Sequence, residues 1–504
     1  MRKLWLLFAA VVAGSFTVLG WIGTRIYQEA PPIPDVVMTS EGKIVIPCNH
    51  NRKPRAVGIG KGLRTKVNAS IGTSSDIIDY GAEVRKARAA QESGADTLME
   101  LSVGGDLDRV RREVIAAVDL PVGNVPLYQA FCEAARQYGD PNKMDPEYLF
   151  DLIEQQLADG LSFMAIHCGI NQYTIERLKK QGYRYGGLVS KGGTYMVSWM
   201  MVNGKENPLY EQFDRVAKLM AKYDAVLSLG NGIRAGAIDD SHDRAQMAEL
   251  IINCELAEEG RKYGCQMMVE GPGHVPIDEI EANIIIEKRM SGNAPYYMLG
   301  PLPTDIGAGY DHITQAIGAS LSSRYGADLV CYITPAEHLA LPGEQDVREG
   351  VRAARLACHI GDIVKLGDRA RGRDKAMALA RRDMDWEAQF QLALFPDVAR
   401  QIRDACRPAA EDTCTMCGDF CANRNGNLFL QIELRDRTGA ISARLWNANE
   451  SLFRLFDEGD LLRVKGRVQL FQGALQMILS HITPVEAEKT DLTDFLPHTE
   501  QDIS

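Results

Sequence analysis

From residue 57 to residue 365, short apolar runs alternate with longer stretches of helical periodicity. The runs are LRTKVNASIG (63–72), TLMELSV (97–103), PVGNVPL (121–127), SFMAIHCG (162–169), GGLVS (186–190), AVLSLGN (225–231), QMMVEGPG (266–273), PYYMLGP (295–301) and LVCYIT (329–334). Between most of them lie helical patterns such as YGAEVRKARAAQESG, DRVRREVIAAV and RAQMAELIINCELAEEGRK. Such alternation predicts an α/β fold with a parallel sheet, most simply a (βα)8 TIM-like barrel over 46–365. Nine candidates for eight strand positions make one of them peripheral. Barrel chemistry sits at the C-terminal ends of the strands. Ser70, Glu100, Tyr128, His167, Ser190, Asn231, Glu270, His274 and Tyr297 fall there.

The pattern changes at both ends. After Arg2 and Lys3, Leu4 to Thr24 is uncharged and mostly apolar. As a helix, 21 such residues would span about 31 Å, enough for a bilayer core. The apolar run continues past Ala13-Gly14-Ser15, which favours a transmembrane helix over a signal peptide. Residues 1–45 are therefore expected to be a membrane helix and a Pro-broken linker. From 366 to 422 the chain is helical and charged, then cysteine-bearing. From 423 to 504, FLQIELRD, AISARLWN, LLRVKGRVQL and ALQMILSHI alternate as strands between the turn signals DRTG and EGD. That spacing predicts a small, OB-like β-barrel.

Composition narrows the function class. With 45% hydrophobic and 24% charged residues, the 504-residue chain is neither collagen-like, wholly disordered nor a polytopic membrane protein. A net charge of −11 argues against a chain built mainly to coat nucleic acid. Of the 11 cysteines, seven are scattered singly and four fall between Cys406 and Cys421. Cys414, Cys417 and Cys421 form a C-x2-C-x3-C triad beside Gly418. Three thiolates can hold three irons of a [4Fe–4S] cube and leave the fourth open to S-adenosylmethionine. Zinc and inert thiols are the competing readings; structural zinc wants four ligands.

Two further constellations carry candidate chemistry. His274, in EGPGH, and His338, in PAEH, each follow a buried strand. Together they could bind one divalent ion such as zinc, or be ordinary hydrogen-bonding loop residues. Ser190-Lys191-Gly192-Gly193 and Asn231-Gly232-Ile233-Arg234 could cradle a phosphate, or be only tight turns.

The stretches GIGKGLRTKVNASIGTSSD, VSKGG, ENPLYEQFDR, MVEGPGHVP, GPLPTDIGAGYDHITQAIGA, CYITPAEHLALP and CTMCGDFC occur in order between Ile46 and Cys421. In them the chain resembles the phosphomethylpyrimidine synthase family of thiamine biosynthesis. The resemblance implies a radical S-adenosylmethionine lyase, cytoplasmic in its catalytic part, with a (βα)8 barrel. It would act on 5-aminoimidazole ribotide as a homodimer, with a [4Fe–4S] cluster and a reductant such as flavodoxin or ferredoxin. It places metal binding on His274 and His338 and the cluster on Cys414, Cys417 and Cys421. Substrate contacts fall on Met99, Tyr128, His167, Ser190, Lys191, Gly192, Gly232, Arg234, Glu270 and Tyr297. Glu270 is expected to handle protons, and His167 with Arg234 to anchor the phosphate or ribose.

The chain departs from the family pattern at Ser70, where the family has Asn, and at Asn231, where it has Asp. Ala235, Gly307 and Ala308 also differ, and the last cysteine spacing is three residues rather than four. An Asp-to-Asn exchange removes a negative charge and a proton acceptor. These changes favour the sister group, the 5-hydroxybenzimidazole synthases of anaerobic cobalamin biosynthesis, over pyrimidine formation.

The ends resemble other families. Residues 1–45 are similar to the first transmembrane segment of quinol-type nitric oxide reductase, without its ligating histidines. RNGNLFLQIELRDRTGAISARLW resembles the OB-fold part of YhaM-type exoribonucleases. Residues 424–467 carry 8 basic against 6 acidic side chains, net +2, a modest signal for single-stranded nucleic acid. Arg2 and Lys3 would orient the helix with the barrel outside the membrane, in conflict with a cytoplasmic cluster enzyme. A composite chain with an inactive barrel, tethered to a membrane or binding nucleic acid, is the second function class.

Overall fold

The computed structural model describes residues 41–407, 413–416 and most of 430–485. The expected membrane helix falls on residues outside these. Among the described residues no helix is long and apolar enough to cross a membrane. The chain divides into two compact units at Arg371/Gly372.

The first unit opens with a short antiparallel pair, β1 (Ile44–Val45) and β2 (Ile59–Gly60). It is followed by eight parallel strands: β3 (Lys66–Ile71), β4 (Thr97–Glu100), β5 (Val122–Asn124), β6 (Phe163–Ile166), β7 (Val226–Leu229), β8 (Gln266–Gly271), β9 (Tyr296–Met298) and β10 (Leu329–Cys331). They close into a barrel in the order β10-β3-β4-β5-β6-β7-β8-β9. Almost every strand residue is buried, as a parallel sheet sheathed by helices requires. Ile46 N–H donates to Gln266 Oε1 at 2.7 Å and ties the opening segment to the start of β8.

Eight of the nine expected strands form; the run 186–190 does not. It is a loop that ends at Ser190, the N-cap of the helix Lys191–Asn203. Gly186 lies so close to Gly236 that a Cβ on it would sit 2.4 Å from the Gly236 carbonyl carbon. Its apolar character comes from packing beside another loop, not from a ladder. Helix starts follow their caps: Asp79, Asp106, Asp145, Asn171, Ser190 and Asp243 each accept a first-turn N–H.

The second unit holds the helices Trp386–Leu392 and Pro396–Ala405 and a four-stranded sheet. Its strands are β11 (Leu430–Asp436), β12 (Gly439–Leu445), β13 (Leu462–Phe471) and β14 (Ala474–Pro484), in the order β11-β12-β14-β13. All four tail strands read from the alternation are present. Leu430, Ala443, Ala448, Leu479 and Ile482 form its small core. The fold is the expected barrel plus OB-type module.

Candidate active site

The C-terminal ends of the eight strands surround a cavity of about 590 Å³. Ser70, Met99, Tyr128, His167, Ser190, Lys191, Arg234, Glu270, His274, Tyr297 and His338 all line it. Residues from β3 to the loop after β10, more than 260 positions apart, thus converge because the barrel closes. Gly192, Asn231, Gly232 and Ile233 stand behind this wall.

One side is a polar network on the barrel axis. Asn68 Nδ2 donates to the Tyr297 hydroxyl at 2.8 Å, and Thr97 Oγ1 donates to Asn68 Oδ1 at 2.7 Å. The Tyr297 hydroxyl is 3.7 Å from Met99 Sδ. Burial holds this phenol well above its ordinary pKa, so it is a neutral donor. Ser70 Oγ lies 3.5 Å from Cys331 Sγ. Asn68 and Cys331 lay inside stretches singled out in the sequence, yet no local signal marked them.

The opposite side carries Lys191, Arg234 and the start of a helix. Ser190 Oγ accepts from Gly193 N–H at 3.1 Å and lies 3.2 Å from His167 Nε2. This begins the helix Lys191–Asn203, whose N-terminal dipole favours negative charge. Lys191 Nζ sits 5.0 Å from the Tyr128 ring centre. Gly192 packs on His167, where a Cβ would come within 2.3 Å of Cε1. His167 is buried, and its Nδ1 has no partner. Burial, then the Arg234 charge, push its pKa down to about 3, so the imidazole is neutral.

Between the two sides lies Glu270 at the end of β8. Its Oε1 accepts from Ser228 Oγ at 2.9 Å, and its Oε2 from Asn231 N–H at 3.4 Å. Burial raises its pKa, opposed by the Ser228 hydrogen bond and the Arg234 charge. Asn231 Nδ2 donates to the Glu270 carbonyl at 3.3 Å, while Asn231 Oδ1 is buried without a partner. Glu100 stays outside the cavity and accepts from Ser102 N–H at 2.8 Å.

The expectation that amides of the 231–234 turn cradle a phosphate needs correction. Gly232 N–H and Ile233 N–H both donate to the Glu249 carboxylate, at 2.8 and 2.7 Å. They are spent inside the protein, and only the Arg234 side chain of the four residues reaches the cavity wall.

His274 and His338 stand at the cavity rim with ring centres 5.6 Å apart. His274 Nδ1 lies 2.8 Å from Asp305, and His338 Nδ1 lies 3.3 Å from Asp311. Asp305 is itself fixed, accepting from Ile238 N–H at 2.9 Å. His338 holds φ at 61°, a left-handed conformation uncommon outside glycine. With Nδ1–H donating to a carboxylate, each imidazole keeps the lone pair on Nε2, the arrangement common for metal-ligating histidines. The two rings are tilted 42° to one another. Among the described residues, no group of three or more His, Cys, Asp or Glu side chains is placed to hold an ion. Of the three expected cluster ligands, Cys414 is half-buried; Cys417 and Cys421 lie outside the described residues.

In the second unit, among the described residues, β13 pairs with β14 alone and exposes Arg463, Lys465 and Arg467. Lys465 stands opposite His481, and Arg467 opposite Ile478, itself opposite Arg444 on β12.

Comparison with known proteins agrees with this geometry. The model of the radical SAM ThiC family matches residues 33–427, and that of an OB-fold nucleic acid binding domain matches 414–485. The chain is 75% identical over 404 residues to the 5-hydroxybenzimidazole synthase of Geobacter metallireducens, covering 80% of this chain and 93% of that protein. It is 75% identical over 393 residues to the enzyme of the same name from Geobacter sulfurreducens, covering 78% of this chain and 90% of that one. Phosphomethylpyrimidine synthase 1 of Methanosarcina barkeri is 56% identical over 391 residues, covering 77% of this chain and 91% of that one.

Proposed function

The chain belongs to the radical SAM ThiC family, and on that premise we propose that it converts 5-aminoimidazole ribotide to 5-hydroxybenzimidazole, for the lower ligand of anaerobic cobalamin. It is a radical SAM lyase. The observation that carries the choice of product is the step in identity, 75% to proteins named for the benzimidazole against 56% to those named for the pyrimidine. Asn231 and Ser70 support it, because both alter groups beside the substrate cavity. Pyrimidine formation is the alternative.

Cys414, Cys417 and Cys421 would hold a [4Fe–4S] cluster, which with S-adenosylmethionine supplies the one-electron chemistry that starts the rearrangement. The residues of this chain do the rest. Ser190, Lys191 and Arg234 bind the ribotide phosphate at the start of the helix Lys191–Asn203. Neutral His167, on the cavity wall beside Arg234, anchors the phosphate or ribose. Tyr297, with Asn68 behind it, donates to the ring. Glu270 takes up a proton as the ring is rebuilt; burial makes it a stronger base than an exposed carboxylate. His274 and His338 would hold a divalent ion through Nε2, zinc by donor type, with substrate or water completing its coordination.

The domains follow as a barrel over 46–365, a cluster segment over 366–422 and an OB-type module over 423–504. A homodimer through the barrel fits the apolar residues left exposed there, Ile313 and Ile317 on the helix Asp311–Tyr325 and Leu356, Ile360 and Val364 on the helix Glu344–Lys365. Each set recurs every fourth residue, so each keeps to one helix face. Flavodoxin or ferredoxin would supply the electron. Exposed Arg463, Lys465 and Arg467 favour a second activity, single-strand binding by the tail.

The test is anaerobic consumption of the ribotide. Reconstituted protein should take up about four irons per chain and consume ribotide only with S-adenosylmethionine and reductant present. Iron-loaded protein that leaves the ribotide untouched would overturn the proposal.

A further inference from the structure

The turn 231–236 carries Arg234 to the cavity wall, and its backbone is held from two sides. On one side, the fully buried Glu249 in the helix Arg244–Lys262 accepts two adjacent N–H groups, Gly232 at 2.8 Å and Ile233 at 2.7 Å. One turn earlier, Gln246 Oε1 accepts from Ala235 N–H at 3.1 Å. On the other side, buried Arg184 donates to the carbonyls of Ile233 at 2.7 Å and Arg234 at 3.3 Å, and to Asp243 at 2.7 Å. Within the turn, Arg234 Nη1 donates to the Asn231 carbonyl at 3.1 Å.

Burial pushes the Glu249 carboxyl up to about 7, and the backbone donors, one on each oxygen, oppose that shift and favour the ionised form. Two adjacent N–H groups aimed at one side chain need two acceptors on that side chain. A carboxylate has two, whereas a carboxamide has one and would turn an N–H donor against the second amide. The side chain therefore selects one turn geometry, and with it the direction in which Arg234 leaves the backbone. Glu249 touches no part of the cavity itself.

We propose that Glu249 is a positioning residue for substrate binding, acting through Arg234 by fixing the two amides of the turn that carries it. The proposal rests on the ribotide reading of the cavity and names what sets its affinity for the anionic end of that substrate.

The experiment is a double-mutant cycle on affinity, read by calorimetric titration of the full-length protein with 5-aminoimidazole ribotide in the absence of turnover. Glu249→Gln should weaken binding about tenfold, the usual scale for losing a hydrogen bond to a charged group. Glu249→Asp, which keeps two acceptors, should weaken it less. In an Arg234→Lys background, the Glu249→Gln effect should fall to about twofold or less, because the group being positioned is already gone. An unchanged affinity in Glu249→Gln, or an equal loss in both backgrounds, would overturn the proposal. If Glu249→Gln does not fold, Glu249→Asp in the same two backgrounds decides the matter. Wild-type protein that does not bind the ribotide at all would instead overturn the substrate reading.

Discussion

His274 and His338 face one another with ring centres 5.6 Å apart, each held through Nδ1 by an aspartate from a different part of the chain. Asp305, in the loop after β9, and Asp311, at the start of the helix Asp311–Tyr325, both lie between β9 and β10, so one βα connection orients two potential ligands contributed by two others. If the pair holds a divalent ion, Asp305→Asn should lower the affinity for zinc by about 10–100-fold, and His274→Ala should abolish binding. Titration of the chelator-treated protein with zinc measures both. Equal affinity in wild type and His274→Ala would remove the metal from the site.

His167 makes the folded protein sensitive to acid. Burial holds its pKa at about 3 in the folded state, against 6.5 when exposed. Between those values the unfolded chain binds a proton that the folded chain does not, so stability is intact above pH 6.5 and declines as pH falls below it. By about pH 5.5 the loss from this one group is about 1.4 kcal/mol. The urea midpoint of wild type should therefore fall between about pH 7 and pH 5 more steeply than that of His167→Asn. Parallel profiles would show that His167 titrates normally.

Asn231 contacts both the main chain and the carboxylate of Glu270. Aspartate at this position would place a second negative charge beside a carboxyl whose pKa burial already raises. The added charge would raise the pKa of the pair further and disfavour the ionised Glu270 that accepts a proton. Asn231→Asp should reduce the rate of benzimidazole formation about tenfold or more, with the optimum shifted to higher pH. A rate and pH profile equal to wild type would exclude a role for the neutral amide.

The barrel was legible because most strands are short, mainly apolar runs, the mark of parallel strands buried on both sides, and six helices begin at a side-chain cap. The run 186–190 misled because close packing of Gly186 and Val189 on Gly236 leaves an apolar pattern without a ladder. Strand ends also located Ser70, Tyr128, His167, Glu270 and Tyr297 on the cavity wall. What could not be read was which polar groups cancel one another. Glu249 lies in a stretch that reads only as a helical pattern, yet it takes two amides of the Gly-rich turn expected to cradle a phosphate. Asp305 and Asp311 sit 31 and 27 residues from their histidines, a pairing that only the closed barrel creates.

The tail makes an electrostatic prediction. If β13 tracks a single strand through Arg463, Lys465 and Arg467, affinity for oligoribonucleotide should fall with salt at about −0.7 in log–log slope per phosphate neutralised. Replacing the three with alanine should flatten the slope by about two units. Filter binding across a salt series reads both, and no binding at low salt would end the nucleic-acid reading of this module.

The product formed from 5-aminoimidazole ribotide under anaerobic conditions tests the central claim most directly. Mass analysis of a single reconstituted reaction separates the two outcomes. The account predicts 5-hydroxybenzimidazole, without a phosphate; a phosphorylated aminopyrimidine as the main product would contradict it.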